Sequence, residues 1–127
     1  QRSLPAIHRS RGPAFVKSDL PYLGHIADSI SAIESYVRDG RDAFMGQRLI
    51  QDAVIRNFEV IGEATGRLSE EIRAGQGELW KKVVAFRNRL IHGYWSVDLP
   101  LVWDVIEKDL PALKADVLRH IDRLTSS

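Results

Sequence analysis

Cysteine is absent from the 127 residues. That removes disulfide bonds, thiolate metal ligands and cysteine nucleophiles together, and fits a protein that works in a reducing cytoplasm. Also missing is any apolar run near the roughly 18 residues that a membrane-spanning helix requires, so no membrane partner is expected. Charge of one sign is lacking as well: 18 Lys and Arg stand against 17 Asp and Glu, for a formal net charge of +1. A balance so even gives no overall pull toward a polyanion, and any nucleic-acid surface has to be a local patch. The glycines are scattered toward helix ends and form no phosphate-cradling loop, and no internal repeat is present. Of the histidines, His8, His25 and His120 lie far apart with no metal-ligand spacing, so neither a metal nor another cofactor is expected.

What is present is enough apolar content, 44%, for one domain with a core of its own. Residues 1–17 mix Arg, Ser, Pro and Gly without periodicity and read as an irregular extension or cloning remnant. Residues 18–127 read as the domain. From Ser18 onward the apolar residues recur at helical spacing and never in a sustained alternation of period two, which predicts an all-α fold. A first helix opens with Ser18 as N-cap and carries Leu23, Ile26, Ala27, Ile30, Ile33 and Val37 on one stripe up to Asp39-Gly40. A second runs from about Phe44 to Leu68, with Gly62 placed to let another helix come close. Ser69-Glu70-Glu71-Ile72 has the look of a capped short turn, and Gly75-Gln76-Gly77 breaks the chain before a third main helix over Glu78 to His92. Asp98 caps a segment through Leu110, and Pro111 starts or kinks the last one through Leu124. Short connections then predict an antiparallel bundle of four to five helices.

The third main helix breaks the rule that an apolar stripe stays apolar. With Trp80 at zero on a wheel of about 100° per residue, Val83 falls near −60°, Val84 near +40°, Ile91 near +20° and Arg87 at about −20°. An arginine therefore sits mid-stripe, where it must meet a carboxylate or face a cleft or subunit seam. Glu59 and Glu63 of the second helix are the acids placed to support it. Asn88 and His92, four residues apart, share a flank next to Arg87. Lys81, Lys82, Arg87, Arg89 and His92 follow one another with no acid among them, which supplies the local basic patch that the net charge conceals. Against this stands a simpler account, in which Arg87 makes a structural ion pair and His92 offsets the dipole at a helix C-terminus.

Arg87-Asn88-Arg89-Leu90-Ile91-His92-Gly93-Tyr94 resembles the Arg-x4-His-x-Tyr motif of HepT-like proteins in the HEPN superfamily. A second block, from Gln51 to Ala64, resembles that family's second helix, and Tyr22-Leu23-Gly24-His25-Ile26 resembles the start of its first. The likeness spans Asp19 to Leu124. It implies a HEPN-type bundle that forms a homodimer, with both motifs facing one cleft, and a toxin that cleaves RNA without a metal. In that reading His92 exchanges a proton with the ribose 2′-hydroxyl or the leaving oxygen, Arg87 stabilises the charge that builds on the phosphoryl oxygens, and Asn88 orients His92 or hydrogen-bonds the phosphate. The resemblance further implies a partner, a minimal nucleotidyltransferase antitoxin that places AMP on the motif tyrosine, here Tyr94. The alternative within the same fold is a catalytically silent dimeric binding module that partners the transferase.

Overall fold

The computed structural model describes residues 18–74, 77–92 and 98–126. Gly93 and Tyr94 lie outside the described residues, as does the side chain of His92. Among the described residues there are helices and no strands, and the fold is the all-α bundle that the periodicity predicts.

Helix α1 (Leu20–Tyr36) buries Leu23, Ile26, Ile30 and Ile33. It packs against both α3 (Arg48–Gly66) and α7 (Leu110–Thr125). Its N-cap is Asp19 rather than Ser18, and the carboxylate makes no bond within its own helix. Asp19 Oδ1 instead accepts the backbone N–H of Ser69 at 2.8 Å, and Oδ2 accepts the Ser69 hydroxyl at 2.7 Å. Ser69 in turn heads the short helix α4 (Glu70–Ala74), its carbonyl accepting from Arg73 N–H at 3.3 Å. Two charge-assisted bonds offset the desolvation of a carboxylate that is only 2% exposed.

The single helix expected from Phe44 to Leu68 is two. Helix α2 (Arg41–Gly46) ends at Gln47, whose extended backbone (φ −124°, ψ 110°) separates it from α3. The Gln51 side chain donates to the carbonyls of Phe44 at 2.9 Å and Met45 at 3.1 Å. It thereby satisfies acceptors that the interruption frees. The break lets Phe44 turn fully into the core, its ring centroid 5.5 Å from that of Trp103. On α3, Ile55 and Phe58 are each 4% exposed, so they belong to the core of one subunit and are not surplus apolar surface left for a second.

Helix α5 (Gly77–His92) lies against α3. Its first turns are fixed by Trp80, which is buried and donates its indole N–H to Asp116 of α7 at 3.0 Å. Asp98 caps α6 (Leu99–Asp104) as expected, accepting Leu101 N–H at 3.2 Å. The chain then passes through one π turn, Val105–Asp109, where Leu110 N–H reaches the carbonyl of Val105, before α7 begins. Pro111 explains that turn. It has no N–H, and its ring would strike the carbonyl of Glu107 in a regular helix, so widening by one residue relieves the clash without ending the helix.

Candidate active site

Arg87 lies where α5 crosses α3, and Gly62 is what lets the helices meet. A Cβ built on Gly62 would stand 2.2 Å from Arg87 Cβ, 2.4 Å from Cγ and 3.3 Å from Cδ. The arginine stem therefore lies directly across the bare backbone of α3. Half-buried by that contact, Arg87 has an Nε that is out of reach of water and has no hydrogen-bond partner. Its Nη1 donates to Asn88 Oδ1 at 3.1 Å. Asn88 thus spends its carbonyl oxygen on orienting the guanidinium, and its amide N–H groups are the side that remains to donate elsewhere.

Among the described residues no ion pair joins Arg87 to Glu59 or Glu63. Glu59 lies 3.6 Å from Arg56 on its own helix, and Glu63 is exposed. Gly62 below and Asn88 beside the guanidinium hold it in place. Leaving a buried guanidinium nitrogen without an acceptor is costly, of order 1–3 kcal/mol. His92 is the last residue of α5, a turn beyond Asn88.

Three basic residues of α5, Lys81, Lys82 and Arg89, border two concavities, and Arg87 lines neither. Lys82 and Arg89 border an apolar one of about 440 Å³ walled by Val83, Phe86, Leu101 and Val105, with Lys82 also bonded to Asp109 at 3.2 Å. Lys81 and Asn88 border the other, a groove of about 760 Å³ between α4 and α5 that includes Arg73 and has Trp80 in its wall. Arg73 carried no signal in the sequence, because it sits in a five-residue helix with no periodicity to violate. Away from both, His25 is exposed beside Tyr22, while His120 is buried against Asp116. Burial pushes the His120 pKa down, partly opposed by Asp116 and reinforced by Arg123 and Arg119. That histidine belongs to the packing of α7.

The family described as "Ribonuclease HepT-like" matches residues 26–120, a span that contains Gly62, Arg87, Asn88 and His92. The chain belongs to the HepT-like ribonuclease family. Among HepT-like relatives, the "Probable ribonuclease HepT" of Thermococcus cleftensis is 34% identical over 100 residues, covering 77% of this chain and 91% of that protein. A "Gamma-glutamylcyclotransferase and putative RNase" of Methanocaldococcus jannaschii is 43% identical over 105 residues. Those residues are 81% of this chain but 47% of that longer relative, so the chain spans about half of its length. A "Putative RNase" of Caldanaerobacter subterraneus is 31% identical over 104 residues, 80% of this chain and 93% of that one. No solved structure matches. The helical bundle described above is accordingly of the HEPN type, and a nuclease family acting on RNA is the setting in which the Arg87 site is to be read. Among the described residues no helix is long and apolar enough to cross a membrane.

Proposed function

We propose that this chain is a metal-independent endoribonuclease and the cytoplasmic toxin of a toxin–antitoxin pair. The observation that carries this reading is Arg87, seated across Gly62 and oriented by Asn88, with a buried Nε that lacks an acceptor. A phosphoryl oxygen would meet this guanidinium at its exposed outer nitrogens, which Asn88 orients through Nη1. In the reaction, the 2′-oxygen forms a bond to phosphorus and the bond from phosphorus to the 5′-oxygen breaks, leaving a 2′,3′-cyclic phosphate and a 5′-hydroxyl. His92 exchanges the proton with the attacking or leaving oxygen, and Arg87 meets the charge on the phosphoryl oxygens. Asn88 is a positioning residue for Arg87. No step calls for a divalent ion, so purified protein is expected to cleave single-stranded RNA equally well with and without EDTA. Cleavage that appears only on addition of magnesium would overturn the mechanism.

The active species is a homodimer, in which the open apolar wall of Val83, Phe86, Leu101 and Val105 is the kind of surface that a second subunit covers. Light scattering is expected to give twice the chain mass, and a monomer at micromolar concentration would remove the composite cleft. The antitoxin is a minimal nucleotidyltransferase that joins AMP to the Tyr94 hydroxyl, releasing pyrophosphate from ATP. The added phosphodiester puts negative charge two residues after His92, where an RNA phosphate has to sit. Mass spectrometry after co-expression is expected to find Tyr94 modified and Tyr94→Phe unmodified and still toxic. Neutralisation with Tyr94 bare would mean that the antitoxin acts by binding alone.

A further inference from the structure

We infer that the groove between α4 and α5 is a second phosphate subsite, in which Arg73, with Lys81 beside it, holds the backbone of the RNA strand next to the bond that Arg87 addresses. The inference rests on the nuclease reading above and adds a residue that the motif does not contain. Its starting point is that Arg73 faces this groove from α4 with no ion pair among the described residues. The guanidinium is half-buried and its Nε is closed off from water, so its outer nitrogens are the ones that a ligand meets.

The obvious intramolecular partner is not used. Glu70 lines the same groove one turn before Arg73, yet among the described residues no ion pair joins the two. Lys81 is exposed on the opposite wall and forms no ion pair among the described residues either, in contrast to its neighbour Lys82, which is held by Asp109. Among the described residues, two cations thus face a single groove that has one acid at its rim. Ligand charge, rather than a protein carboxylate, is what this groove is built to take.

Asn88 connects this groove to the reaction centre. It lines the same groove and its Oδ1 carries the hydrogen bond from Arg87 Nη1. A strand whose scissile phosphate lies on Arg87 therefore runs past Asn88 toward Lys81 and Arg73. The floor offers no base pocket, because Trp80 is 1% exposed and its indole nitrogen is already bonded to Asp116. The subsite consequently reads the backbone and not the sequence.

The test uses single-stranded RNA with 2′-O-methyl groups, which lacks the attacking hydroxyl and so survives the measurement. Arg73→Gln keeps the stem and removes the charge. It is expected to weaken binding about tenfold at moderate salt and to lower the slope of log K against log[salt] by about 0.7, the value for one lost single-strand phosphate contact. Lys81→Gln, at an exposed position where folding is not at risk, is expected to lower the slope as well. Lys114→Gln removes the same charge from the far side, where Lys114 pairs with Glu34 at 3.1 Å, and is expected to leave the slope alone. Cleavage of a dinucleotide too short to reach the groove is expected to keep its kcat in Arg73→Gln, while KM for longer RNA rises. If Arg73→Gln and Lys81→Gln bind like Lys114→Gln while the native protein cleaves RNA, the subsite is wrong and the nuclease reading survives. If the native protein never cleaves RNA yet loses affinity with Arg73→Gln, the nuclease reading fails and the groove remains.

Discussion

Arg87→Met is expected to abolish RNA cleavage and to leave the protein as stable as before, or more so. The substitution keeps Cβ and Cγ, the atoms that lie across Gly62, and deletes a buried Nε that has no partner. Removing an unsatisfied buried donor relieves a penalty of about 1–3 kcal/mol. Removing a guanidinium that meets transition-state charge costs about 10²–10³ in rate. The two effects have opposite signs, which is what separates a catalytic arginine from a structural one. A structural arginine would lower the melting temperature when replaced and leave turnover intact. His92→Ala is expected to cost about 10²–10⁴ in rate as the loss of a proton-transfer group, and Arg87→Ala is expected to abolish cleavage with the fold intact. Full cleavage in any of these variants would end the assignment of that residue, and a loss of several kcal/mol of stability in Arg87→Met would return Arg87 to a packing role.

Gly62→Ala is expected to be damaging although alanine is the better helix former. Intrinsic propensity favours the substitution by about 1 kcal/mol in a helix interior. Opposing it is a methyl group 2.2 Å from Arg87 Cβ, an atom anchored to the backbone of α5 that cannot swing aside. The only relief is for α3 and α5 to separate, and overpacking of this kind costs about 1–3 kcal/mol. A net destabilisation of up to about 2 kcal/mol follows, together with a fall in cleavage, because the guanidinium moves with its helix. Denaturant unfolding and turnover measured on the same preparation check both. Adding Arg87→Ala should not restore stability, since alanine retains the clashing Cβ, whereas Arg87→Gly should restore part of it. A Gly62→Ala protein stabilised by the full propensity gain of about 1 kcal/mol, with cleavage unchanged, would mean that the two helices are not in contact as described.

Much of this was legible in the residues, and where it was not the reasons are specific. Helical periodicity carried the fold class, because nearly every segment buries one face and apolar spacing reports that directly. Arg87 stood out for the same reason, as a charge in a stripe. Gly62 was legible as a close-approach point, but not what approaches it. The break at Gln47 was hidden because the Gln51 side chain, and not a proline or a turn sequence, compensates the interrupted carbonyls. The support of Arg87 was assigned to Glu59 and Glu63 on the ground that a buried cation seeks an acid. The ion pair that Glu59 makes is with Arg56, and the arrangement at Arg87 leaves an acceptor wanting. Ile55 and Phe58, on two sides of α3, could be taken for a subunit face from their spacing alone, yet α3 is central enough to bury both within one chain.

The bond between Asp19 and Ser69 bears on where this fold begins. The family match starts at residue 26, and a fragment cut there would lose the first turn of α1 and with it the acceptor for the Ser69 N–H and hydroxyl. Those groups head α4, and α4 carries Arg73. A boundary drawn by likeness alone would thus loosen, from the opposite end of the sequence, the wall of the groove that Arg73 and Asn88 line. A chain shortened past Asp19 is expected to lose both bonds and, with them, the anchor that ties the start of α1 to the head of α4.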